Sequence, residues 1–225
     1  HGHSHGGGGG DCCGNEPAPG NDHLTVETAC GNGDLAAVIL YWAQGEDVAC
    51  RRVAVGDTVA TPFMWAAFKG HIPVMKFLLD QGADVHATTN DGQNSLMWAV
   101  ADGRCEVVDM LLRLGARPAD CDTRGFNAYF VAVQNSNLGV LTLLTDHQSL
   151  DPLQRDGEGH TLLHWAAYRG SLALCRYLHE VLGVPVDGQD HMKRTPLIWA
   201  AREGFDEVCA YLLSKGAKAT VTDIE

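Results

Sequence analysis

Basic residues are scarce in this chain: 16 Lys and Arg stand against 28 Asp and Glu, for a formal charge of −12 over 225 residues. Binding along a phosphate backbone needs a concentrated basic surface, so the balance argues against nucleic acid as a partner. It argues equally against contact with an anionic membrane surface. Long apolar runs are missing too. None approaches the roughly 20 residues that span a bilayer, and no signal-peptide pattern opens the sequence. The eight cysteines include no C-x-x-C pair and no zinc-ligand spacing. Cys12 and Cys13 are adjacent in a glycine-rich stretch, while Cys30, Cys50, Cys105, Cys121, Cys175 and Cys209 are scattered. Reduced thiols in a soluble cytoplasmic protein are the expectation. Also absent are a nucleophile–base constellation, a phosphate-cradling glycine loop and a paired-carboxylate motif. No catalytic residue, metal site or cofactor is therefore assigned, and the chain is expected not to be an enzyme.

What is present is a repeat. Segments beginning at Thr61, Asn94, Asn127, Thr161 and Thr195 read TPFMWAAFKG, NSLMWAVADG, NAYFVAVQNS, TLLHWAAYRG and TPLIWAAREG, at spacings of 33, 33, 34 and 34 residues. Thr or Asn at the first position predicts a helix cap, and Pro62 and Pro196 suit the first helical position, where a missing N–H costs nothing. Paired small residues such as Ala66-Ala67 and Ala166-Ala167 predict close packing between neighbours. Gly70, Gly103, Gly170 and Gly204 are expected to end this helix. A second helix follows with its apolar face at helical spacing (Val74, Phe77 and Leu78; Val107, Met110 and Leu111; Val208, Tyr211 and Leu212), ended by Gly82, Gly115 and Gly216. Cys175 and Cys209 share one position in it with Met75, Val108 and Leu141, which is the behaviour of a small buried hydrophobe. The fourth unit has Ser136 and Gln148 where the others carry helix-ending glycines, so looser packing is expected there.

The recurring TPLH-x-AA-x-x-G and V-x-x-LL-x-x-GA patterns resemble ankyrin repeats, from about residue 24 onward. The resemblance implies an all-α solenoid of about six helix–turn–helix repeats, over approximately 21–56, 57–90, 91–123, 124–156, 157–191 and 192–225. It implies a framework hydrogen-bonding role for His164 and a framework position for His71. It also implies that the residues three and four after each repeated tryptophan face a concave groove. The motifs DGEGHTLLHWAAYRG and DHMKRTPLIWAAREG, with the repeated Trp, are further similar to the amino-terminal ankyrin region of Asp-His-His-Cys palmitoyltransferases, most strongly over 157–225. In those enzymes the repeats recruit substrate proteins and a membrane domain transfers the acyl chain. Neither that motif nor a membrane-spanning stretch occurs in these 225 residues.

Tryptophan is the unusual feature. Trp65, Trp98, Trp165 and Trp199 occupy one repeat position, which Val131 takes in the fourth unit. Helical geometry sets Phe68-Lys69, Ala101-Asp102, Gln134-Asn135, Tyr168-Arg169 and Arg202-Glu203 beside them. Two readings stand: the indoles form a partly exposed groove floor, or they are enlarged core residues between repeats. On the first, Trp65, Phe68, Lys69, Trp98, Asp102, Trp165, Tyr168, Arg169, Trp199, Arg202 and Glu203 bind a protein or peptide segment. They would form two aromatic stations, one over repeats two and three and one over repeats five and six, separated by a polar gap. Residues 1–20 (HGHSHGGGGGDCCGNEPAPG) form a low-complexity tail that should not fold alone. His1, His3, His5, Cys12 and Cys13 are metal-ligand types, but composition favours a flexible tail or a tag remnant. At the other end, TVTDIE stops where a further turn would begin, and the gene is expected to continue past Glu225.

Overall fold

The computed structural model describes residues 25–55 and 57–219, so the His/Cys-rich tail and the final residues lie outside it. The described residues form six helix pairs. In chain order they are α1 (Val26–Asn32) and α2 (Leu35–Ala43), α3 (Pro62–Lys69) and α4 (Ile72–Asp80), and α5 (Ser95–Ala101) and α6 (Cys105–Arg113). These are followed by α7 (Ala128–Gln134) and α8 (Leu138–His147), α9 (Leu162–Tyr168) and α10 (Leu172–Arg176), and α11 (Pro196–Glu203) and α12 (Asp206–Ser214). The odd-numbered helices contact one another in sequence order, and each leans on its own even-numbered partner. The architecture is an all-α solenoid.

Local chemistry explains the helix starts. Thr61 Oγ1 accepts from the Met64 N–H at 3.3 Å, Asn94 Oδ1 from Met97 at 2.9 Å and Asn127 Oδ1 from Phe130 at 3.3 Å. The fifth repeat solves the problem differently. His164 Nδ1 accepts the Thr161 N–H at 3.1 Å, which leaves its Nε2–H to donate to the Arg194 carbonyl at 3.0 Å and tie the fifth repeat to the sixth. Thr195 departs from the expected pattern, since its Oγ1 is buried and caps nothing among the described residues. His71 also bridges repeats, its Nε2 lying 2.9 Å from the Gly31 carbonyl.

Three findings go beyond the sequence reading. The longer first turn contains a hairpin, β1 (Val53–Val55) antiparallel to β2 (Thr58–Ala60), in the register Val53 to Ala60. Its valines and threonine favour extended backbone. The fifth repeat's extra length is absorbed by π-helical turns over Tyr177–Val181 that continue α10. The fourth repeat is not loosely packed. Tyr129, Phe130, Ala132, Val133, Val140, Leu141 and Leu144 are all buried there, and Tyr129 donates its hydroxyl proton to the Gln148 carbonyl at 2.9 Å. Ser136 itself takes up the left-handed conformation at φ 54°, where Gly70 and Gly204 sit in other repeats. Among the thiols, Cys30 and Cys175 are buried, and burial pushes both up to about 12. Cys209, in the last described repeat, is only half-buried.

Two predictions follow from this framework. A left-handed serine costs about 1–2 kcal/mol, part of which glycine gives back as backbone entropy. Ser136→Gly should therefore raise stability by about 0.5–1 kcal/mol in urea unfolding. Gly170→Ala should destabilise, because a Cβ there would come within 2.5 Å of the Phe205 ring. The second prediction concerns acid. Burial pulls the His164 imidazole down from 6.5 to about 4, against the raising effect of its bond to the Arg194 carbonyl. As pH falls through 6.5, the unfolded chain takes up a proton that the native state refuses until about 4. Stability is thus complete above 6.5 and declines across that window, by on the order of 3 kcal/mol. His164→Gln should be less stable at neutral pH but lose less on acidification, as read from the change in Tm with pH.

Candidate partner-binding groove

The sequence-assigned tryptophans lie on the odd-numbered helices, and all four are half-buried. They are neither wholly enclosed between repeats nor free at the surface. Close stacking of the helices brings successive rings into contact. Trp65 and Trp98 meet edge to face, with centroids 5.0 Å apart, and Phe68 completes a triangle at 6.4 and 5.9 Å. A second cluster forms across α9 and α11. Trp165 and Trp199 are 5.6 Å apart, and Tyr168 sits 6.0 and 5.8 Å from them with 37% of its surface exposed. Each such edge-to-face pair contributes about 0.5–1.5 kcal/mol beyond area burial. Between the clusters Val131 and Gln134 are half-buried and Asn135 is exposed, with its Nδ2 donating to the Val131 carbonyl at 3.1 Å.

The charged positions flank these rings. Lys69 is exposed, with Nζ 4.8 Å from the Phe68 centroid. Asp102 is also exposed but is held by Arg104, whose Nε lies 2.6 Å from its carboxylate. Arg169, Arg202 and Glu203 are exposed and form no ion pair among the described residues. Tyr168, Trp199, Arg202 and Glu203, together with Arg194, line one shallow open depression of about 180 Å³. Arg194 is the cation that meets a ring in this cluster, its guanidinium carbon lying 5.3 Å from the Trp199 centroid.

A second row of residues, not assigned from sequence, supports the indoles. Each stands immediately before the Thr or Asn that opens a first helix: Ala60, Gln93, Phe126, His160 and Arg194. Their spacing matches that of the tryptophans, and that periodicity was the available signal. Gln93 Oε1 accepts the Trp98 indole N–H at 2.9 Å. Phe126 lies 5.5 Å from Trp165, and His160 lies 5.7 Å from Trp165 and 4.6 Å from Trp199. Phe126, His160 and Arg194 sit on turns built by one carboxylate each. Asp122 Oδ1 accepts from the Arg124 and Phe126 N–H groups, Asp156 Oδ1 from Glu158 and His160, and Asp190 Oδ1 from Met192 and Arg194. Backbone bonds then join neighbouring turns, Thr123 N–H to the Asp91 carbonyl, Gly157 to Arg124 and His191 to Glu158.

One of these carboxylates also satisfies an indole. Asp156 Oδ2 accepts the Trp165 N–H at 3.0 Å and lies 2.9 Å from His160 Nδ1. Burial alone pushes the Asp156 carboxyl up, but the His160 and Trp165 hydrogen bonds outweigh it and hold the group below its ordinary value. Asp190 is held low in the same way, burial being outweighed by Arg194 through its backbone N–H and its guanidinium. Arg194 Nε lies 2.7 Å from Asp190 Oδ2, and the buried Trp199 indole N–H has no hydrogen-bond partner among the described residues. Trp65 has none either, since Ala60 stands where Gln93 stands one repeat on. The groove therefore carries two satisfied and two unsatisfied indoles among the described residues.

Known proteins resemble this chain along most of its length. The family model for ankyrin repeats (3 copies) matches residues 26–124, 64–156 and 129–223. The palmitoyltransferase AKR1 of Saccharomyces cerevisiae is 38% identical over 217 residues, covering 91% of this chain and 28% of that protein. The likeness thus reaches well beyond residues 157–225. The palmitoyltransferase akr1 of Schizosaccharomyces pombe is 48% identical over 120 residues, 52% of this chain and 18% of its own length. The palmitoyltransferase Hip14 of Drosophila melanogaster is 32% identical over 111 residues, 48% of this chain and 17% of its own. The chain spans 28% or less of the length of these three relatives. Among the described residues no helix is long and apolar enough to cross a membrane.

Proposed function

This chain belongs to the ankyrin-repeat family, and on that premise we propose that it recognises a partner protein by holding an extended segment or surface loop in its concave groove. Ankyrin repeats are protein-interaction modules and are not themselves catalytic. The observation that carries the reading is the pair of half-buried aromatic clusters, Trp65, Phe68 and Trp98 at one station and Trp165, Tyr168 and Trp199 at the other. Each of these indoles is partly accessible, and flat aromatic area binds apolar or proline side chains at low entropic cost. Lys69, Asp102, Arg169, Arg202 and Glu203 set the polarity at the rim, and the interval of Val131, Gln134 and Asn135 separates the stations. With a charge of −12, nucleic acid and anionic lipid surfaces are poor partners, and a cytosolic setting suits the recognition role.

A second reading is favoured by the likeness to the palmitoyltransferases AKR1 and Hip14. On it the chain is the substrate-recruiting ankyrin region of a membrane S-acyltransferase, on the cytosolic side, and the acyl-transfer machinery lies in sequence outside these 225 residues. The two readings share one groove and differ in what it is attached to. Reading the coding sequence past Glu225 separates them. An Asp-His-His-Cys segment with apolar spans supports the acyltransferase, and a stop codon directly after Glu225 supports a freestanding adaptor.

The groove reading is tested at Trp65. Trp65→Leu should leave the helical circular-dichroism signal intact while weakening partner binding, by about 1–3 kcal/mol if the indole is a hot spot. Affinity capture with the wild-type chain and with a Trp65→Leu/Trp98→Leu double variant, read by mass spectrometry, supplies the partners for that measurement. Loss of stability with unchanged partner affinity would assign these rings to packing alone.

A further inference from the structure

Charge is distributed unevenly between this groove and the rest of the chain. Overall, Asp and Glu exceed Lys and Arg by 28 to 16. On the groove rim the balance reverses. Lys69, Arg169 and Arg202 are exposed without an ion-pair partner among the described residues, against one such carboxylate, Glu203. The acidic group at the equivalent place in the third repeat, Asp102, is neutralised by Arg104 at 2.6 Å. Beneath the rim of the second station, Asp156 and Asp190 are buried and spent internally, on His160 and Trp165 in one case and on Arg194 in the other. Neither projects negative charge into the groove mouth.

From this juxtaposition we infer that the second station takes a partner segment in which an apolar side chain is flanked by an Asp or Glu side-chain carboxylate. The inference rests on the groove reading above and adds a chemical class of partner to it. The apolar side chain would lie on Tyr168 and Trp199, in the depression that Arg194 and Arg202 also line. The carboxylate would meet Arg202 and Arg169, whose guanidinium forks suit a planar two-oxygen acceptor. Arg194 is already committed to Asp190 and stacks over Trp199, so it stiffens the floor and leaves the ion pairing to the exposed arginines. The negative charge elsewhere does not forbid such a partner. At physiological ionic strength the Debye length is about 8 Å, so cations in contact with the ligand outweigh carboxylates more remote than that. Glu203 lines the same depression and sets a limit. Its own negative charge would disfavour a second acid beside the one that Arg202 and Arg169 take.

Random peptides displayed on phage provide the test, selected in parallel on the wild-type chain, on Arg169→Glu/Arg202→Glu and on Trp199→Leu. Thermal melts would verify that each variant is folded. The wild type should enrich peptides carrying Asp or Glu beside an aliphatic or aromatic residue. The charge-reversed variant should lose that preference and enrich Lys or Arg, and Trp199→Leu should recover few of the wild-type sequences. For the best peptide, Glu→Gln should raise the Kd by about twofold to fivefold in fluorescence polarisation. Selected peptides that depend on Trp199 but show no acidic bias, or no change on Glu→Gln, would overturn the carboxylate inference and leave the groove reading standing. An absence of selected peptides, or binding indifferent to both Trp65→Leu and Trp199→Leu, would count against both. If charge reversal disturbs the fold, Arg202→Gln with the same peptide replaces it, and an unchanged Kd would overturn the inference.

Discussion

Close contact between successive first helices is the constraint on which the rest of this molecule depends. Ala66, Ala67, Ala99, Val100, Ala132, Val133, Ala166, Ala167 and Ala200 are all fully enclosed. Small side chains at these points let neighbouring helix backbones approach closely, and one continuous core runs from Val26 to Ala217 as a result. Ala201 lies beyond Ala200 in the last described pair and is exposed, as expected of a layer with no described neighbour on that side. The same approach determines the groove. Stacking of adjacent helices lets their indoles meet, with ring centroids 5.0 Å apart in one pair and 5.6 Å in the other.

The chemistry around the aromatic clusters is set one layer further out. The turns ahead of the tryptophan-bearing helices differ in the acceptor they offer the indole. Where the turn offers a free oxygen, from Gln93 or Asp156, the indole N–H is satisfied. Where Ala60 stands in place of Gln93, and again in the Asp190 turn, the indole N–H has no partner among the described residues. Trp65 and Trp199, the two indoles concerned, sit one in each aromatic cluster.

Electrostatics divides along the same lines. Buried carboxylates organise the turns and stay ionised because hydrogen bonds outweigh the cost of burial. His164 is kept neutral by burial and serves as a donor–acceptor bridge between repeats, a structural use of a residue type that elsewhere signals catalysis. Beside the tryptophans, Lys69, Arg169 and Arg202 are exposed and form no ion pair among the described residues.

Much of this was legible in the sequence, because the information is periodic. A spacing of 33 or 34 residues, cap residues, helix-ending glycines and alternating apolar faces together specify helix pairs that bury their apolar faces only by stacking. Helical spacing likewise placed Phe68 and Tyr168 beside their tryptophans, and it marked Val131 as a break in the stripe. Other features came only with the three-dimensional arrangement. The hairpin at Val53–Ala60 lies in the one turn that breaks the period, so no neighbouring repeat signalled it. Whether an indole is enclosed or half-open depends on the distance between helices, and one helix's sequence does not contain that distance. The tightness of the fourth repeat depended on Ser136 adopting a glycine's backbone angle and on Tyr129 reaching the Gln148 carbonyl, 19 residues away in the chain. The contacts of Arg194 with Trp199, and of Asp156 with Trp165, join residues on a turn to residues on the helix that follows it. Sequence determined which residues recur and on which face they stand. Tertiary structure decided which of them touch, because contact across a turn or between repeats is set by packing distance, which a linear period does not encode.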